Sequence, residues 1–70
     1  MEIDFGEHDV TAADEHAEIG LRHMKHRMSR EERQQLFRET KRDGRAIFSE
    51  KGKKYVLKRT DRGDYTIERE

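Results

Sequence analysis

The chain has no cysteine, no proline and no tryptophan. Without cysteine there is no disulfide framework, no thiolate zinc ligand and no cysteine nucleophile, which excludes a small secreted scaffold held by disulfides. Without proline, the ends of helices and strands must be marked by glycines and capping residues. Large apolar residues are also few: Leu, Ile, Val and Phe make up twelve of the 70 residues, under the level of about 20% at which disorder competes with folding. Disorder of that kind also needs a strong net charge, and here 16 basic residues cancel 16 acidic ones. The composition therefore predicts one small, marginally stable domain over residues 1–70, with a thin core that a second copy or a partner would complement. No apolar run approaches the roughly 18 residues of a membrane span, and the acidic N-terminus lacks the basic and apolar regions of a signal peptide. A soluble cytoplasmic protein without membrane contact is expected.

Net neutrality hides a division. Residues 1–20 carry seven acids, Glu2, Asp4, Glu7, Asp9, Asp14, Glu15 and Glu18, and no Lys or Arg, whereas all 16 basic residues and nine acids lie in residues 21–70. The two parts are thus −7 and +7, a layout that suits a polyanion-binding surface in one and a basic partner for the other.

Met1, Ile3 and Phe5 alternate with Glu2 and Asp4, the period of a half-buried strand that Gly6 would close. The acidic residues 1–10 that contain it are otherwise expected to be mobile over 6–10, where Val10 is the sole large apolar residue. Thr11 followed by Asp14 fits an N-terminal cap and starts a first helix near Ala12. Ala13, Ala17, Gly20, Leu21, Met24 and Met28 fall on one stripe of that helix, small residues first and large ones last. Ser29 with Glu32 repeats the capping pattern and opens a second helix, which buries Leu36, Phe37, Thr40 and the stem of Arg33 and stops at Gly44. From Arg45 onward, three runs, 45–49, 53–59 and 64–69, are divided by the turns Glu50-Lys51-Gly52 and Thr60-Asp61-Arg62-Gly63, the pattern of an antiparallel meander. Ala46, Phe48, Tyr55, Leu57, Tyr65 and Ile67 form its inner face, and Ile47 and Val56 stand on the outer one. The expected fold is α+β, order β-α-α-β-β-β, with two helices packed on a three- or four-stranded, mainly antiparallel sheet.

Catalytic motifs are missing. There is no phosphate-cradling glycine loop and no serine or cysteine nucleophile motif, and Ser29 and Ser49 are the only serines, so neither an enzyme nor a cofactor is expected. His23 and His26 lie one helical turn apart, close enough to chelate. Their neighbours Arg22, Lys25 and Arg27 oppose a dication, and no further ligands converge, so no metal is assigned.

The strongest binding signal is the basic meander. Arg45, Lys51, Lys53, Lys54, Lys58, Arg59 and Arg62 stand among Phe48, Tyr55 and Tyr65, and cations interleaved with rings suit a phosphate backbone and stacked bases. Arg30, Arg33, Arg38, Lys41 and Arg42 extend that surface wherever the second helix faces outward. The expected role is a nucleic-acid-binding regulator or accessory factor that self-associates through Ile47 and Val56. The alternative is a protein-interaction module or inhibitor working through Glu2, Asp4, Glu7, Asp9, Asp14, Glu15 and Glu18.

A capped helix followed by a hairpin with a basic tip resembles, in element order, a winged helix, although three helices are usual there and two are predicted here. The order β-α-α-β-β-β also resembles that of small ribosome-dependent mRNA-cleaving toxins, and Tyr55-Val56-Leu57-Lys58 with Gly63-Asp64-Tyr65 is similar to their last strands. Those proteins are longer and net basic, and the chain is assigned to no family.

Overall fold

Period-two alternation and well-capped helices account for most elements of the computed structural model, which describes residues 2–5 and 8–70. Strands β1 (Glu2–Asp4) and β2 (Asp9–Ala12) precede helices α1 (Glu15–His26) and α2 (Arg30–Asp43), and β3 (Arg45–Glu50), β4 (Lys53–Arg59) and β5 (Tyr65–Arg69) complete the chain. The strands form one mixed sheet in the order β1-β2-β5-β4-β3, in which β2 runs parallel to β5 and the other neighbours are antiparallel. The α+β class with two helices holds, and the sheet is larger than expected. The additional strand is β2, and the order becomes β-β-α-α-β-β-β. Met1, Gly6 and Glu7, which belonged to the expected first strand, its closing turn and the acidic set, lie outside the described residues.

The start of α1 is where the sequence reading needs correction. Thr11 sits in a strand and does not cap a helix. The cap is Asp14, whose carboxylate accepts from the Ala17 amide at 2.9 Å. A Thr-x-x-Asp spacing imitates a capping box. The alternation of Asp9 and Thr11 with Val10 and Ala12 is the competing strand signal, and it prevails because β5 needs a partner on its free side. Val10 pairs with Tyr65 and Ala12 with Ile67, and Val10 is fully buried. Residues 9 and 10, placed in the stretch expected to be mobile, are paired into the sheet. Ala13, placed on the helical stripe, is exposed ahead of the helix and donates its amide to the Ile67 carbonyl.

The second helix follows its local signals. Ser29 and Glu32 form a reciprocal capping box, and Gly44 ends the helix at φ 86°, a left-handed conformation that costs glycine little. Lys51 and Gly52 turn β3 into β4, both at positive φ, as a two-residue hairpin turn of the twist-matching kind requires.

Both helices cover the same face of the sheet, α1 over β2 and β5, α2 over β3 and β4. The core between the layers contains Val10, Ala17, Leu21, Met24, Leu36, Phe37, Ala46, Tyr55, Leu57, Tyr65 and Ile67, with Phe48 half-buried at its margin. Its closest approach is at Gly20. A β-carbon there would lie 2.5 Å from the Tyr55 ring, so α1 rests on the ring with nothing between. Tyr55 is fully buried, and its hydroxyl has no hydrogen-bond partner among the described residues.

Gly20→Ala is expected to destabilise the protein by about 1–3 kcal/mol, because overpacking against Tyr55 outweighs the gain of about 0.5–1 kcal/mol that alanine brings to a helix interior. Tyr55→Phe keeps the ring, discards the unsatisfied hydroxyl and should stabilise by about 1 kcal/mol. Urea unfolding of both variants measures the two opposite signs.

Candidate functional site

The two proposed charge surfaces are dismembered by the fold. Lys51 and Arg62 sit in the turns at opposite ends of β4, separated by seven strand residues, or about 20 Å. Lys51, Lys53 and Lys54 gather at one end of the sheet, and Arg45, Arg59 and Arg62 at the other. Lys58, opposite Arg45 on the outer face, is paired with Glu68 at 2.9 Å. The meander therefore offers two separate basic ends, each exposed.

The acids divide as well. Glu2, Asp4 and Asp9 project from the outer face at the β1–β2 edge, opposite in register to Thr11, Asp9 and Asp4. Glu15 and Glu18 are on α1, and Asp14 serves as its cap. Because β1 and β3 are the two edges of a five-stranded sheet, the acidic edge stands about 19 Å from β3, four strand spacings away. The outer face is thus acidic at the β1–β2 edge, and its cations on the meander, Arg45, Lys54 and Lys58, stand toward the other side, apart from the described acids of β1 and β2.

The helix-covered side holds a feature that no single stretch of sequence announces. Where the β1–β2 hairpin meets α2, a cleft of about 640 Å³ is lined by Phe5, His8, Arg30, Arg33, Gln34, Phe37, Arg38, Lys41 and Tyr65. Four of these residues are cationic and none carries a carboxylate. Arg30, Gln34, Arg38 and Lys41 reach it from one face of α2, spaced by three and four residues as helical geometry demands.

The floor of the cleft is aromatic. Phe37 meets Tyr65 edge-on at 5.1 Å between ring centroids, His8 lies 4.4 Å from Phe37 and 4.9 Å from Tyr65, and Phe5 is 5.8 Å from Phe37. Phe37 and Tyr65 are buried, whereas Phe5 and His8 are half-buried, and the Arg33 guanidinium lies over the Phe5 ring at 6.0 Å from its centroid. The hairpin is closed by the Phe5 amide donating to the His8 carbonyl at 2.8 Å. Lys25 holds it from outside, with its ammonium 5.4 Å from the Phe5 ring centroid and 3.3 Å from the Asp4 carbonyl.

The four cations are not equivalent. Arg33 donates through Nη1 to the carbonyls of Met24, Lys25 and Met28 at 3.1, 3.3 and 2.9 Å, so it satisfies the carbonyl end of α1 that helical bonding leaves open. Arg30, Arg38 and Lys41 are exposed on the rim and face solvent. Arg42, just beyond, is engaged by Asp43 at 3.0 Å. Their hydrogen bond holds the Asp43 carboxyl below the usual range and the Arg42 guanidinium above its own.

No family model matches the chain, and no curated protein or solved structure matches it. The site is therefore read from its own chemistry. The element order observed, with β2 inserted and a parallel pair in the sheet, departs from the order that resembled the mRNA-cleaving toxins. No group of three or more His, Cys, Asp or Glu is placed to hold a metal among the described residues. His23 Nδ1 is 3.4 Å from a Glu50 oxygen, close enough for an ion pair but outside hydrogen-bond geometry. No described helix is long and apolar enough to cross a membrane.

Sequence reasoning placed Arg30, Arg33, Arg38 and Lys41 on a surface conditional on their direction, and missed Phe5 and His8 as ring partners. The available signal was the pairing of an apolar strand end with a histidine across a tight turn, which is too common to stand out.

Arg33→Leu should destabilise by about 1–3 kcal/mol, since three carbonyls lose a charged donor. Arg38→Leu, exposed on the same helix, should change stability by no more than about 0.5 kcal/mol. Chemical unfolding of the pair distinguishes the structural arginine from the one left for a ligand.

Proposed function

We propose that this chain is a small nucleic-acid-binding protein, a regulator or accessory factor, that receives single strands in the cleft between α2 and the β1–β2 hairpin. The observation that carries the reading is the make-up of that cleft: Arg30, Arg38 and Lys41 on its rim, the half-buried rings of Phe5 and His8 within, and no carboxylate among its described lining residues. Phosphates are neutralised by the rim cations, and a base stacks on a ring face, which requires no particular sequence. A duplex keeps its bases stacked inside and would reach only the cations, so single strands are favoured. Arg45, Arg59 and Arg62, at the same end of the sheet, offer further phosphate contacts as the strand leaves the cleft. Lys51, Lys53 and Lys54 lie too far away to share one short site.

A second reading, docking of a basic protein on the acidic edge, draws on the display of Glu2 and Asp9 away from the meander. It accounts for the edge but leaves the cleft without a role.

Three rim cations correspond to a slope of log K against log salt of about −2 on single strands and about −3 on duplex. Fluorescence anisotropy with an oligonucleotide should show that slope reduced by about 0.7 in Arg38→Gln. His8→Ala should cost about 1–3 kcal/mol of binding without altering the slope. Absence of binding at low salt, or equal losses for Lys53→Gln and Arg38→Gln, would set this assignment aside.

A further inference from the structure

We propose that the chain forms a two-fold symmetric dimer by pairing the free edge of β3 with the same edge of a second copy, centred on Ile47. The two edges of the sheet are treated differently by the sequence. β1 is three residues long, with Glu2 and Asp4 on its outer face, and short charged edges resist pairing. β3 is six residues long, has Ala-Ile-Phe-Ser at its centre, and carries neither a proline nor an inward lysine. It is the kind of edge that accepts another strand.

The hydrogen-bond pattern sets the register. Arg59 donates its amide to the Gly44 carbonyl, so Gly44 and Arg59 form a bonded pair, and in an antiparallel ladder bonded and non-bonded pairs alternate. Ala46, Phe48 and Glu50 therefore spend their main-chain groups on Leu57, Tyr55 and Lys53, their register partners. The amides and carbonyls of Arg45, Ile47 and Ser49 point away from β4. Among the described residues no strand lies beyond β3 on that side.

A two-fold axis normal to the sheet keeps each face continuous, so it must pair residues whose side chains share a face. Centred on Ile47, it sets Ile47 against Ile47 of the second copy and Arg45 against Ser49 in both directions. Every outward group then has a partner, giving six hydrogen bonds. Ile47, 47% exposed, would be covered by its own symmetry mate. On the helix side, Ala46 comes opposite Phe48, a small residue against a large one. Val56, the register partner of Ile47, is only 7% exposed within one chain, so the apolar surface offered to a second copy is Ile47 itself. Because α2 lies against β3 and β4, the same axis brings both α2 helices to the seam on one face of a ten-stranded sheet. The dimer does not depend on nucleic-acid binding and is tested without it.

Sedimentation of the full chain from micromolar to millimolar concentration should reveal a species of twice the 8.4 kDa chain mass. Ile47→Lys sets two ammonium groups face to face, and Ser49→Pro removes an amide that the β4 ladder does not use. Each should weaken the dimer by about tenfold or more with an unchanged circular dichroism spectrum. Because the chain lacks cysteine, crosslinking fixes the register independently of those variants. Facing α-carbons in a bonded pair are about 5.5 Å apart, within disulfide reach, so Ile47→Cys should oxidise to a covalent dimer and Arg45→Cys, whose copies are four residues out of register, should not. A single 8.4 kDa species throughout, a dimer indifferent to both variants, or equal crosslinking at positions 45 and 47 would overturn the proposal.

Discussion

The seat of α1 on the Tyr55 ring is the contact on which the rest of the structure depends. With so few large apolar residues, the layers gain enough burial only if helix and sheet come close, and Gly20 permits that by presenting bare backbone to the ring. A fully buried tyrosine then supplies a large share of the core's apolar surface. Phe48 stacks on Tyr55 at 5.3 Å and His23 lies over Phe48 at 6.1 Å, so the ring column continues to the margin of the sheet.

Confining both helices to one face has two consequences. The outer face is left to solvent and sorts its charges by strand, acids on β1 and β2, cations mainly on β4. That order follows from the chain itself, because the acidic N-terminal segment supplies one edge and the basic meander the other. On the helical face, the short β1–β2 hairpin extends beyond the helices' main contact and leans on Phe37 and Tyr65. The cleft is the space left between that hairpin and α2. It collects cations because the α2 flank beside the buried stripe of Leu36, Phe37 and Thr40 bears Arg30, Arg38 and Lys41.

Arginine serves opposite ends on this one helix. Arg33 faces the end of α1 and is consumed by carbonyls, so its charge stabilises the corner between helices. Arg38 lies one helical turn and a residue further along and keeps its donors for solvent or a ligand. The difference is positional and not chemical.

What the sequence by itself determined were the features that neighbours within a few residues can enforce: the Ser29–Glu32 box, the Gly44 stop, the Lys51-Gly52 turn, and the inward faces of α2 and the meander. Their signals are local, since a cap or turn needs only its own backbone and a period of two needs only its own strand. Tertiary structure alone decided the parallel pairing of β2 with β5. Val10 and Ala12 are too short a run to declare a strand until β5 gives them a partner, and Asp14, a cap with its own Ala17, made Thr11 look like one. It also decided the cleft, whose rings at Phe5, His8, Phe37 and Tyr65 come from distant parts of the chain, and the separation of Lys51 from Arg62. Charges close in sequence part company when a strand runs between them, and residues far apart meet when the sheet closes around one buried ring.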